Sequence, residues 1–328
     1  MDYKKSIETL KEELGVTIVA HYYQCDDVFE CADITGDSLE LAKRARDVDG
    51  DFIIFCGVSF MGESVKILDP TKRVFMPSLA SCSMAEMIDD DAFDRAIEMM
   101  VSSGIDKENI LPITYINSSA IIKAKVGEMG GLTCTSSNAK KIMEDAKKSG
   151  KKIFFMPDQC LGANMANSVG LSSTLLEEGK NLQEYDVICY DGFCSIHQYF
   201  ELKDIEFFRA KYDGIKIAVH PECKPEVCDG ADFVGSTSQI IKFVQDLPLE
   251  QKVAIGTEAN LVNRLREKNT YILSSTLPMC PSMSETTIEG LHSLMIDMLD
   301  GYYRNEVEVN EVIAKNAKLA LDAMMELS

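Results

Sequence analysis

The chain has 328 residues, 46% of them apolar and 26% charged, with eleven cysteines and a formal net charge of −20. Its length allows two domains or three compact units of roughly 100 residues, and its composition excludes disordered and fibrous classes. An acidic chain without a Lys/Arg cluster argues against nucleic acid as a partner.

The N-terminus reads as an amphipathic helix without the apolar core of a signal peptide, and nowhere do about 18 uncharged apolar residues run together. Neither secretion nor membrane spanning is expected. The cysteine number is odd and too low for a disulfide scaffold, so most thiols are expected reduced, in a cytoplasm.

Three β-rich apolar runs, at 17–23, 111–117 and 216–222, each end in a polar or aromatic tip. A second strand is expected in each third, at 51–57, 131–135 and 232–235, feeding directly into a helix opened by small polar residues at 59–64, 136–138 and 236–238. Third strands follow at 73–77, 152–157 and 252–256. Helical patterns lie between, at 38–46, 91–101, 138–148 and 239–245, and the chain closes with helices from Thr287 onward. The stretch between Asn117 and Cys134, carrying Gly127, Gly130 and Gly131, reads as a loop.

Alternating short uncharged strands and helices predict an α/β fold with parallel sheets buried on both faces. We read three tandem α/β domains, 1–102, 103–213 and 214–328, with ligands bound beyond the carboxyl ends of the strands. One large doubly wound sheet is the alternative.

No Cys-x-x-Cys occurs, so zinc-ribbon, thioredoxin and clustered ferredoxin signatures are absent. Each third has one isolated cysteine flanked by turn residues: Cys82, Cys194 and Cys280. Three soft ligands on a tripled scaffold suggest a metal cluster with one corner open. Cys56, Cys134 and Cys189 lie inside apolar strands and are expected in the core, while Cys25, Cys31, Cys160, Cys223 and Cys228 stay open. His21 and His220 stand at matching strand tips, where a histidine can titrate or donate to an anion. Tyr23 and Glu222 lie two residues beyond them as acid and base candidates. Tyr115 and Asn117 complete the middle tip, His197 follows Cys194 by three residues, and His292 reads as structural. An anionic ligand would need local positive potential against the net charge, which helix N-termini and backbone N–H groups can supply.

The segments His21-Tyr-Tyr-Gln24, Gly36-Asp-Ser-Leu-Glu-Leu-Ala42, Phe60-Met-Gly-Glu63, Ser81-Cys-Ser-Met84, Thr114-Tyr-Ile-Asn117, Cys134-Thr-Ser-Ser-Asn-Ala139, Gly192-Phe-Cys194, His220-Pro-Glu-Cys223, Gly235-Ser-Thr-Ser238, Gly256-Thr-Glu258 and Cys280-Pro-Ser-Met283 come in an order and spacing that resembles the quinolinate synthases. The resemblance implies three α/β domains around a pseudo-threefold axis and a central 4Fe-4S cluster held by Cys82, Cys194 and Cys280 with one open iron. It also implies condensation of iminoaspartate with dihydroxyacetone phosphate to quinolinate, phosphate and water, in NAD biosynthesis, with a functional link to the enzyme that supplies iminoaspartate. It places His21, Tyr23, Ser38, Tyr115, Asn117, Ser136, His197, His220, Glu222, Ser236 and Thr237 around the substrate, with Tyr23 and Glu222 as the proton-transfer pair. Two other readings of an iron–sulfur site are a hydro-lyase of another small dicarboxylate and an electron-transfer module with four ligands.

Overall fold

The computed structural model describes residues 2–328, apart from the side chain of Arg46. Three separate parallel sheets form, rather than one doubly wound sheet. The first contains β1 (Val16–His21), β2 (Ile34–Gly36), β3 (Phe52–Cys56) and β4 (Arg73–Phe75), in the order β2-β1-β3-β4. The second contains β5 (Ile110–Tyr115), β6 (Leu132–Cys134), β7 (Lys152–Met156), β8 (Ser173–Leu175) and β9 (Val187–Cys189), in the order β6-β5-β7-β9-β8. The third contains β10 (Lys216–Val219), β11 (Phe233–Val234), β12 (Val253–Gly256) and β13 (Thr270–Ile272), in the order β11-β10-β12-β13. In every sheet the opening strand pairs with the next strand on one side and the third on the other, and all these ladders are parallel. Helices cover both faces, so the central strands β1, β3, β5, β7, β10 and β12 are largely buried and rich in Val, Ile and Phe, while the edge strands β8, β11 and β13 are only partly covered.

That order corrects the sequence reading of the first third by one strand. Residues 51–57 form the third strand in register, equivalent to β7 and β12, and β1's outer partner is β2. β2 is only three residues long and leaves no alternation to read. The polar turn equivalent to those at 136–138 and 236–238 is therefore Gly36-Asp37-Ser38, and the helix Ser59–Leu68 follows the third strand. β8, β9 and β13 carry no expectation as strands beyond the placement of Cys189 in one.

The second correction concerns 117–134, which is mostly the helix Ala120–Glu128. Ala120, Ile122, Lys123, Ala124, Val126 and Gly127 are all buried, and only the narrow stripe of Ile121, Lys125 and Glu128 is open, too little polar face to mark the helix. The C-terminal helix Glu311–Glu326 packs across it, with Ala317, Ala320, Leu321 and Met324 fully buried. Contact is close enough that a Cβ on Gly127 would meet the Asn316 carbonyl at 2.1 Å. Further out, the helix Ile288–Leu299 packs on the helix Tyr3–Leu14, where His292 Nε2 lies 2.9 Å from Ser6 Oγ in a structural role.

Cys56, Cys134 and Cys189 are core residues, and Cys31, Cys160, Cys223 and Cys228 are buried as well. All eleven cysteines are free. Among the described residues, no helix is long and apolar enough to cross a membrane.

Candidate active site

One cavity collects the carboxyl ends of strands from all three sheets. Its wall contains His21, Tyr23, Ser38, Cys82, Tyr115, Asn117, Ser136, Cys194, His197, His220, Glu222, Thr237 and Cys280, which is every site residue expected from sequence except Ser236. Ser236 is fully buried and caps the helix Thr237–Asp246, its Oγ accepting from Gln239 N at 3.3 Å in a capping box. The side chain is thus engaged in helix initiation, and Thr237 takes the place at the wall.

The three cysteines share one local device. Backbone N–H groups two or three residues on approach each sulfur: Met84 and Ala85 at Cys82, His197 at Cys194, Ser282 and Met283 at Cys280. At Cys280 the approach stops short of a formed cap hydrogen bond. Burial pushes all three thiols up, Cys82 to about 12, and these amides offset part of the shift. All three cysteines line the one cavity. Three converging half-buried thiols, each supplied with amide donors, suit an iron–sulfur cluster, whose sulfur ligands are thiolates tuned by N–H groups. Asp158 braces the second one: Oδ2 accepts from Cys194 N at 3.1 Å and Oδ1 from Leu161 N at 2.7 Å.

Beside the thiols stands a buried acid–base group. The Glu222 carboxylate lies with Oε2 2.6 Å from His197 Nδ1 and 3.7 Å from His220 Nδ1. The 2.6 Å contact departs from the direction of a regular hydrogen bond, which leaves His197 Nδ1 formally unpaired. Cys194, His197 and Glu222 bring ligand atoms within 4.8 Å of one another, a set that could itself hold a metal ion. Burial works to raise the Glu222 carboxyl, but His197, His220 and the Tyr115 hydroxyl outweigh it and hold the group low, so it is a carboxylate near neutrality. The His197 and His220 rings stack at 4.5 Å.

Burial lowers His21 to about 4 and His220 to about 3, leaving both neutral. Each ring accepts the N–H two residues on through Nδ1, from Tyr23 at 3.1 Å and from Glu222 at 3.4 Å. Those donors fix the tautomer that carries its proton on Nε2.

Tyr23 is held by two threonines: its hydroxyl is 2.9 Å from Thr257 Oγ1 and accepts from Thr237 Oγ1 at 3.1 Å. Thr257 Oγ1 also lies 3.2 Å from His197 Nε2, so one hydroxyl links the Tyr23 phenol to the His197–Glu222 pair. Burial and the Glu222 charge push the Tyr23 and Tyr115 hydroxyls well up, and both are phenols rather than phenolates here.

Two residues that the sequence reading passed over organise the polar turns. Asp37 is 5% exposed, and its Oδ1 accepts from Leu39 N and Glu40 N, each at 3.0 Å. Its Oδ2 accepts from Ser137 Oγ and Ser238 Oγ, each at 2.7 Å, so one carboxylate joins the equivalent turns of all three sheets. Glu258 lines the cavity, caps the helix Ala259–Arg264 through Asn260 N at 2.8 Å, and is pushed up by burial to about 7. Both stand in the motifs Gly36-Asp-Ser and Gly256-Thr-Glu, and their position there is the sequence signal that could have found them.

Residues 5–326 match the family model described as Quinolinate synthetase A protein, NadA. A protein of Helicobacter pylori named quinolinate synthase is 53% identical over 335 residues, covering all of this chain and 98% of that protein. Quinolinate synthases of Acidobacterium capsulatum and Anoxybacillus flavithermus are 39% and 40% identical, across 98% and 99% of this chain and 92% and 93% of theirs. With three free thiols meeting at one cavity and relatives alike along their whole length, the chain belongs to the quinolinate synthetase A family.

Proposed function

We propose that the chain condenses iminoaspartate with dihydroxyacetone phosphate to quinolinate, releasing phosphate and water, with a 4Fe-4S cluster held by Cys82, Cys194 and Cys280. The observation that carries the reading is the meeting of three cysteines, one from each third of the chain, with Glu222, Tyr23 and the strand-tip histidines in one cavity. When bound, a three-cysteine cluster supplies a Lewis-acidic iron with an open position, and the overall reaction, having no net oxidation or reduction, asks for that and not for an electron carrier.

The protein's own groups divide the remaining work. Ser38 and Thr237 stand at the starts of helices and Ser136 in the turn leading into one, where hydroxyls and free backbone N–H groups hold carboxylate and phosphate oxygens. Neutral His21 and His220 donate from Nε2, and Asn117 adds an amide. Glu222, a carboxylate close to two imidazoles, accepts a proton from the carbon or nitrogen being deprotonated, and His197 shares its charge. Tyr23 returns a proton to the departing oxygen, and Thr257 holds the phenol in line with His197. Burial of these groups keeps water from the unstable imine.

The test is anaerobic purification and cluster reconstitution, followed by assay of quinolinate from both substrates. Quinolinate is expected, and an iron signal that shifts when quinolinate is added; no product from a fully loaded protein would refute the reading. Replacing Cys82, Cys194 or Cys280 singly by Ala should abolish the cluster, whereas Cys160→Ala and Cys223→Ala should retain it. A full iron and sulfide count in any of the first three variants would remove that residue from the ligand set.

A further inference from the structure

Among the described residues, no lysine or arginine stands in the cavity wall, although the function proposed above, on which this inference rests, asks it to hold two anions inside a protein of net charge −20. Behind the wall lies one buried cation. Lys123, in the helix Ala120–Glu128, is 0% exposed and is the only buried lysine or arginine side chain among the described residues. Its Nζ donates to the Ile116 carbonyl at 2.8 Å and to the Ser118 carbonyl. These two carbonyls flank Asn117, which lines the cavity and whose Oδ1 is buried without a hydrogen-bond partner. The same Nζ lies 5.5 Å from the ring centroid of Phe60, another residue of the wall.

Glu63 provides the nearest opposing charge, but its carboxylate accepts from Ala120 N at 3.0 Å and makes no direct ion pair with Lys123. A buried ammonium without a contacting carboxylate is costly, and a methionine would fill the space without that cost. Two carbonyls could be satisfied by a neutral donor, so the charge itself needs a reason. The unpartnered Asn117 acceptor and the Phe60 ring beside the ammonium both belong to residues of the cavity wall, which puts the cation directly behind that wall.

We propose that Lys123 is a positioning residue for anion binding. It pins the 116–118 turn so that Asn117 presents its amide to the cavity, and it supplies fixed positive potential through the wall to a carboxylate- or phosphate-bearing ligand.

Quinolinate binding measured by equilibrium dialysis on the reconstituted protein tests this without requiring turnover. Lys123→Met is expected to keep its iron and its melting point near that of the wild type, while the Kd for quinolinate rises about ten- to a hundredfold, the range of a lost charge-assisted hydrogen bond. KM for dihydroxyacetone phosphate should rise with it, and Lys123→Arg should recover part of the loss. Because burial draws the lysine down to about 8 while Glu63 opposes it, wild-type affinity should fall as pH rises through that value, and Lys123→Met should lack the step. Unchanged affinity and an unchanged pH profile in Lys123→Met would overturn the proposal and leave Lys123 a structural donor. If that variant loses its fold, Glu63→Gln decides: removing the opposing carboxylate should move the step to lower pH, and a step that stays in place overturns the proposal. Wild-type protein that neither binds nor makes quinolinate overturns the function as well; an active wild type matched by an indistinguishable Lys123→Met overturns this inference alone.

Discussion

The first and third sheets end their opening strands alike, while the second does something different at the same place. β1 and β10 run into His21 and His220, each ring accepting the backbone N–H two residues on, with Tyr23 and Glu222 as the residues that donate it. β5 runs instead into Tyr115 and Asn117, a phenol and an amide, with the buried Lys123 ammonium holding the turn from behind. A histidine that accepts its own backbone is locked as an Nε2 donor without any partner element, so it can sit at a tip. An asparagine has no such lock and depends on a second residue six positions further along the chain. Tyr23 and Glu222 thus come from the two outer thirds, and the middle third contributes His197 beside Glu222, the neutral donors Tyr115 and Asn117, and the buried Lys123 cation.

The largest effect expected from breaking this division is at Glu222. Glu222→Gln keeps the shape and removes the carboxylate, and should lower kcat about 10²- to 10⁴-fold with iron content and quinolinate affinity little changed. Wild-type turnover would take Glu222 out of proton transfer and return the third tip to a purely binding role. A smaller and paired effect is expected at the histidines. His21→Gln and His220→Gln should each raise KM about ten- to a hundredfold, the value of one hydrogen bond to a charged ligand, with kcat less affected. Burial keeps both rings neutral from neutral pH down to about 4, so neither variant should alter the shape of the pH profile in the ordinary histidine range. A large loss at one histidine and none at the other would show that the matching tips do unlike work.

The same comparison explains what could be read from sequence. Both histidine tips were visible because an apolar strand ending in a rare residue appears twice, and the three lone cysteines stood out because turn residues flank each of them. The first sheet was misread by a strand because β2 has three residues and no alternation, so its register depends on tertiary pairing with β1. Lys123 was hidden for the opposite reason: most of its helix is buried, and a lysine in Ala-Ile-Ile-Lys-Ala-Lys looks like a solvated residue. Asp37 and Thr257 draw their importance from partners 60 to 234 positions away, and no local pattern announces such a contact.

Ser136 and Ser236 allow the smallest and sharpest test, because sequence treats them as equivalents and the structure does not. Ser136 lines the cavity beside Tyr115, whereas Ser236 Oγ accepts from Gln239 N within a capping box. Ser236→Ala should therefore cost about 1 kcal/mol of stability, the usual value of a lost N-cap, read as a melting point lower by a few degrees, with KM and kcat unchanged. The Gln239 side chain still bonds the Ser236 N–H at 2.9 Å, which limits the loss. Ser136→Ala has no cap to lose, since the helix Ala139–Lys148 begins after Asn138, so its melting point should stay while KM rises. The reverse outcome, a kinetic defect in Ser236→Ala at unchanged stability, would mean that the third seat uses its buried serine and not Thr237, and would make the second and third turns alike after all.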